Sequence, residues 1–213
     1  MNMNPRTVLT LANGRNIDLL NPRADDYRDL EWAAEHLAKE NRYNGATPGV
    51  CYSVAQHTCE CALTAFAVTG DRQVAAYLSL HDVHEAVLKD DTTPKKRAFA
   101  EMAQLKFGVL AKEVLATFDD LTDRHDRAIH EAAGLPWPPT LEMAQAIKHF
   151  DRVLLVTEWR DLMGGYPLPN AEAYADAAPL TRKIVPHGKW QSSSALLCLA
   201  WRQFLPALQP ATA

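Results

Sequence analysis

The sequence predicts a mostly α-helical single domain with a small N-terminal β-hairpin, on three observations. Apolar residues recur at helical spacing in successive segments from about residue 30 to the C-terminal region. Helix-end signals separate these segments: Ser, Asp or Thr before the apolar runs and Gly after them. Only the opening residues alternate apolar with polar around a turn dipeptide. With 213 residues, 47% hydrophobic and 23% charged, the chain can fill one core and requires no second domain.

Each element follows in order. The segment TVLTLANGRNIDLLNP sets Asn13-Gly14 between two short alternating runs, which is a hairpin pattern. Residues 1–22 therefore read as a hairpin segment, 23–165 as the helical core, and 166–213 as a connector with a last helix. The first helix carries Leu30, Ala33, Ala34, Leu37 and Ala38 on one face, behind Asp25 or Asp26 as its cap. YNGATPG, from Tyr43, breaks it. Ser53 caps a second helix that runs to about Val68 and ends at Gly70. Asp71 opens a third, which the pattern carries into LSLHDVHEAVLKDD at 78–91. Pro94 suits the first position of a long fourth helix through Phe99, Met102, Leu105, Val109, Leu110, Val114 and Leu115, ending near Asp119. A shorter piece at 123–133 stops at Gly134 and LPWPP, which cannot continue a helix. Thr140 opens an amphipathic run at 141–163 that ends at Gly164-Gly165. A last helix spans about 189–205, and QPATA forms a loose tail.

Charge and cysteine usage exclude several classes. A net charge of -4 gives no broad footprint for a nucleic-acid polymer, so an anionic ligand must be held by a few local cations. No apolar run suits a membrane span or a signal peptide. Cys51, Cys59, Cys61 and Cys198 then read as free thiols in a reducing cytoplasm. Cys59 and Cys61 lie next to His57 and invite a zinc reading, but an i, i+2 pair diverges on a helix, which favours buried thiols.

The chemistry gathers in LSLHDVHEAVLKDD. On a continuous helix His81 and Glu85 stand four apart, and Asp82 and Glu85 three apart, so one face presents an imidazole and two carboxylates. The apolar run VAAYLSL precedes them, and charges buried beside it need partners or a cation. His57 in YSVAQHTCECAL and Asp151 in IKHFDRVLLV lie in similar apolar company on other helices. Each alone reads as a structural residue. Together, two imidazoles and two carboxylates suit a divalent Mn, Fe, Co, Ni or Zn ion with open positions for water and substrate. His84 turns away from the ligand pair by about 100° per residue and is as well suited to a supporting role as to ligation.

His57, His81-Asp82 and Asp151 follow an H…HD…D order. RYNG at Arg42, YSVAQH ending at His57, HDVHEAVLKD ending at Asp90 and FDRVLLVTEWRDL from Phe150 surround them. On these motifs the chain resembles the HD-domain metal-dependent phosphohydrolases, in the 5′-deoxynucleotidase branch that also includes phage-type dATP triphosphohydrolases. The resemblance runs from about Arg15 to Leu162. It implies an HD-type helical bundle in which His57, His81, Asp82 and Asp151 bind one divalent transition metal, with a second ion such as Mg arriving with substrate phosphates. Glu85 then handles the attacking water and Asp90 is a second catalytic carboxylate. Arg42 and Tyr43 line the nucleotide pocket, and Lys95 or Lys96 adds charge.

The implied reaction converts a deoxynucleoside 5′-monophosphate to deoxynucleoside and phosphate. One alternative is release of triphosphate from a deoxynucleoside triphosphate, and another is a nucleotide-binding regulatory module with an inactive site. A homo-oligomer is implied, and the last helix around Trp201 and Phe204 would pack on a partner or on its own core. A two-metal version would need His125 and His130, whose spacing of five does not share a face, so they read as surface histidines. Glu158, one heptad after Asp151, and Arg160-Asp161 read as structural ion pairs, and the tryptophans as packing residues.

Overall fold

The computed structural model describes residues 6–208. The hairpin forms as the alternation requires: β1 (Val8–Thr10) pairs antiparallel with β2 (Asn16–Asp18) in the register Leu9 to Ile17, which buries Ile17. Gly14 takes a φ of 78° in the turn, a conformation open to glycine without a Cβ penalty. After it, α1 (Glu31–Lys39) buries Trp32, Ala33, Ala34, Leu37 and Ala38. Its expected caps act elsewhere. Asp26 closes a separate single turn at Ala24–Asp26 by accepting from the backbone N–H of Arg23 at 2.9 Å, while Asp29 accepts from Glu31 N–H at 3.1 Å.

The second helix, α2 (Val54–Thr69), has the expected ends: Ser53 Oγ accepts from Gln56 N–H at 3.2 Å, and Gly70 is left-handed. It is buried on most of its sides and forms the centre of the bundle, packed by α1 and by the three helices α3 (Arg72–Leu78), α7 (Leu141–Leu162) and α8 (Trp190–Phe204). Thr140 caps α7 through Met143 N–H at 3.2 Å, and Gly164 and Gly165 end it with positive φ. Trp201 and Phe204 of α8 are buried in the chain's own core. The QPATA tail lies outside the described residues. Among the described residues no helix is long and apolar enough to cross a membrane.

Two expected helices are corrected. The third does not run on through the HD pair: α3, capped by Asp71 through Gln73 and Val74 N–H, stops at Leu78, and a short α4 (Glu85–Leu88) resumes after it. The cause is local. The Leu78 carbonyl bonds His81 Nδ1 at 2.7 Å, and the Ser79 carbonyl accepts the Trp201 indole N–H at 2.6 Å. The backbone between then winds tightly, with Val83 N–H on Leu80 O and Glu85 N–H on Asp82 O, each three residues back rather than four. The long fourth helix is likewise two. Gly108, at φ 54°, breaks it into α5 (Thr93–Phe107) and α6 (Ala111–Ala132), joined by a turn at Gly108–Leu110. A Cβ at Gly108 would meet nothing within 4 Å, so glycine supplies backbone conformation here and not space. The separately expected piece at 123–133 is the second half of α6.

Candidate metal centre

Three elements converge. From α2 come His57 and Cys61, from the tight winding after α3 come His81 and Asp82, and from α7 comes Asp151. His57 Nε2 lies 3.2 Å from Asp151 Oδ1 and 3.6 Å from Asp82 Oδ2, and His81 Nε2 lies 3.2 Å from Asp82 Oδ2. Ligand atoms about 2.0–2.2 Å from one ion are about 3.0–3.5 Å from one another, so these spacings suit donors sharing a cation. The structure thus brings together all four residues that the sequence nominated.

A group of His57, Cys61, His81 and Asp151, the first two buried and the others partly so, has donor atoms within 4.8 Å of one another and could hold a metal ion. Cys61 joins the cluster unexpectedly, although it is the fully buried thiol that was anticipated. Its Sγ sits 3.5 Å from His57 Nε2 and 4.0 Å from Nδ1. These two similar distances put the sulfur alongside the ring rather than in line with the Nε2 lone pair, so Asp82 is better aimed than Cys61. Burial pushes the Cys61 thiol up to about 11.

The hydrogen bonds orient both imidazoles. His81 Nδ1 meets the Leu78 carbonyl, an acceptor only, and His57 Nδ1 meets the Glu158 carboxylate at 2.6 Å, so each Nε2 is turned to the cluster. On the receiving side, His81 Nε2, Asp82 Oδ2 and Glu85 Oε2 are buried without a hydrogen-bond partner among the described residues. Buried polar atoms without a hydrogen bond are costly unless a cation or its waters satisfy them. The local field agrees. Burial and Arg42 push the His57 pKa down, but Cys61, Glu158 and Asp151 outweigh them and hold it well above the ordinary value. Burial pushes Asp82 up, yet His81, His57 and Arg42 bring it below the usual carboxylate range, and Asp151 is lowered further against its own burial by its hydrogen bond to His57. Positive charge is favoured between these groups.

Glu158 does more than the expected ion pair. Fully buried on α7, it accepts from His57 Nδ1, from Arg42 Nε at 3.2 Å and from the Tyr43 hydroxyl at 2.7 Å. Burial pushes its pKa up, but His57 and Arg42 more than offset this and keep it ionised. The seven-residue spacing from Asp151, two turns along one face, is the sequence signal for this role. Arg42 and Tyr43 come from the single turn Arg42–Gly45, where Tyr43 and Asn44 hold positive φ. Arg160 and Asp161 do form the expected ion pair, at 2.8 Å.

Above the cluster lies a cleft of about 470 Å³, lined by Asp82 and Asp151 at its floor and by Glu85, Asp90, Arg42 and Tyr43. Burial raises the pKa of both Glu85 and Asp90, with Asp82 adding to the effect on each. Of the two lysines, only Lys96 lines the cleft. Lys95 is a correction: it is 61% exposed and pairs with Asp91, because adjacent residues on α5 point about 100° apart. The sequence missed Arg97, which lines the cleft beside Lys96, and Trp159, whose ring meets Tyr43 edge-on at 5.8 Å. Neither Lys96 nor Arg97 forms a side-chain ion pair among the described residues.

The remaining histidines are now placed. His84 Nδ1 bonds Asp126 Oδ1 at 2.9 Å, a supporting contact to α6. His125 and His130 are buried, not at the surface. His125 uses both ring nitrogens on the Tyr27 hydroxyl and the Leu19 carbonyl, while His130 Nδ1 donates to Asp126 O, so this pair does not form a second ion site. Compared with family models and with curated proteins, the sequence matches none.

Proposed function

We propose that the protein is a metal-dependent phosphohydrolase that cleaves the 5′ phosphoester of a deoxynucleotide, with a deoxynucleoside monophosphate as substrate. The observation that carries this reading is the convergence of His57, His81, Asp82 and Asp151 below a cleft that Asp82, Asp151, Glu85, Arg42 and Lys96 line, with buried atoms of His81, Asp82 and Glu85 that no hydrogen bond satisfies among the described residues. A cleft of about 470 Å³ is of nucleotide size. Phosphate monoesters hydrolyse so slowly that an enzyme supplies up to about 10²¹ in rate, far beyond the roughly 10²–10⁴ of a lone acid or base. A divalent ion held by His57, His81, Asp82 and Asp151 would lower the pKa of a water and neutralise phosphoryl oxygens.

The chain's own residues then divide the work. Glu85, with its free Oε2 in a buried position, orients the water and takes its proton. Asp90 lines the same cleft and contacts the substrate. Arg42, anchored through Nε to Glu158, offers its remaining guanidinium nitrogens to a phosphate. Tyr43, fixed by its hydroxyl on Glu158, presents its ring to the sugar and base.

The unpaired Lys96 and Arg97 favour a second reading with the same reacting atoms, in which the substrate is a deoxynucleoside triphosphate and triphosphate is released. A regulatory module that only binds nucleotide has no use for a free Glu85 carboxylate beside the ion ligands. Deoxynucleoside mono- and triphosphates incubated with Mn²⁺ or Co²⁺, with phosphate and triphosphate read separately, decide among them. The proposal expects phosphate from a monophosphate and loss of both metal and turnover in His57→Ala and Asp82→Ala. Full turnover in either variant, or no product from any deoxynucleotide, overturns it.

A further inference from the structure

The hairpin made by α5, the Gly108–Leu110 turn and the first half of α6 packs mainly on itself. The packing of α5 is against α6 and the turn, whereas α6 meets the body through its second half, where His125, Asp126, Ala128, Ile129 and His130 are buried. Of α5 only Ala103 is buried. Large apolar side chains are left in solvent instead: Phe99, Met102, Leu105, Val109, Leu110 and Phe118 are 47–93% exposed, and Phe99 and Phe118 stack edge-on at 4.9 Å across the two helices. Phe99, Met102 and Leu105 stand three apart and form one stripe on α5. A contiguous apolar face of this kind marks a contact surface rather than ordinary scatter.

Charge says what covers it. Along α5 stand Lys95, Lys96, Arg97 and Lys106 against the single Glu101. Along 111–123 of α6 the balance reverses, with Glu113, Asp119, Asp120 and Asp123 against Lys112. An anionic lipid surface would attract the first helix and repel the second. A second copy of the same hairpin, turned by a two-fold axis, sets the basic helix of each chain on the acidic helix of the other and buries both apolar stripes. We infer that the α5–α6 hairpin is the homodimerisation surface of this protein, the two hairpins closing into a four-helix contact. The contact would also brace the start of α5, where Lys96 and Arg97 line the cleft.

The test compares full-length wild type with Leu105→Glu and Val109→Glu, at positions 80% and 93% exposed whose replacement leaves each chain's own core intact. Mass by light scattering across a concentration series should give a wild-type dimer, and dissociation of the variants should rise at least tenfold with circular dichroism unchanged. A wild type that stays monomeric, or variants that dimerise as tightly as wild type, overturns the inference. Co-sedimentation of a monomeric wild type with phosphatidylserine vesicles would assign the face to a membrane and overturn it too. None of these readouts uses catalysis, so the proposal about the cleft stands or falls apart from this one.

Discussion

Glu158 shows how one buried carboxylate ties the two halves of the site together. It holds a candidate ion ligand, His57, and two cleft residues, Arg42 and Tyr43, with a single charged group. Losing a carboxylate that orients a ligating histidine costs typically 10–100-fold in metal affinity. Glu158→Gln is accordingly expected to bind Zn²⁺ or Co²⁺ about 10–100-fold more weakly, measured by competition with a chromophoric chelator. Equal affinity in the variant would show that Glu158 serves Arg42 alone. At this scale the sequence was informative about which residue types meet, because two imidazoles and two carboxylates in apolar surroundings need a common partner. It was silent on Lys95 against Lys96, since which of two neighbours faces inward depends on where α5 begins and how it is rotated.

Among elements, the joint between α7 and the connector carries a pH signature. Asp161 at the end of α7 has a side chain only 2% exposed, bonds Arg160 at 2.8 Å and accepts the Ile184 N–H at 2.8 Å. Its pKa is lowered from 3.8, first by the Arg160 hydrogen bond, against the effect of burial, and further by Ile184 N–H. A lowered folded pKa means that the stabilisation is present above the ordinary value and is lost as pH falls through the folded one. Asp161→Asn should therefore melt lower than wild type at pH 7, by about 2–4 °C for each kcal/mol lost, and the gap should begin to narrow below about pH 4 and close as pH falls through the lowered folded value. A gap that stays constant from pH 7 to pH 3 would show that the carboxylate charge is not what holds the joint. The helices with ordinary caps, α2 and α7, were legible to within a residue, because Ser53, Gly70 and Thr140 act through their own backbone neighbours. The break after Leu78 was not, because one of its two causes is the indole of Trp201, more than a hundred residues away.

For the whole molecule, the candidate ion and the fold share their supports: ligands from α2, the winding after α3 and α7 all root in the central packing around α2. An ion that binds only the folded chain at 100 times its Kd adds about 2.7 kcal/mol of stability. Chelation of metal-loaded protein should lower its melting temperature by about 5–10 °C, and Mn²⁺, Co²⁺ or Zn²⁺ should restore it. An unchanged melt after verified metal removal would argue that the cluster is a self-sufficient ion-pair network. The α-helical architecture was readable from periodicity, while the projecting hairpin was hidden because the apolar spacing runs through Gly108 without a break. That hairpin has a consequence for how such a site can diversify. The ion-ligand cluster belongs to the tightly packed body, whereas Lys96 and Arg97 belong to a projecting part with few ties to it. Under the phosphohydrolase proposal, exchanging or lengthening α5 would alter the cationic edge of the cleft while the ligand cluster stays intact, so selectivity and chemistry would be separable.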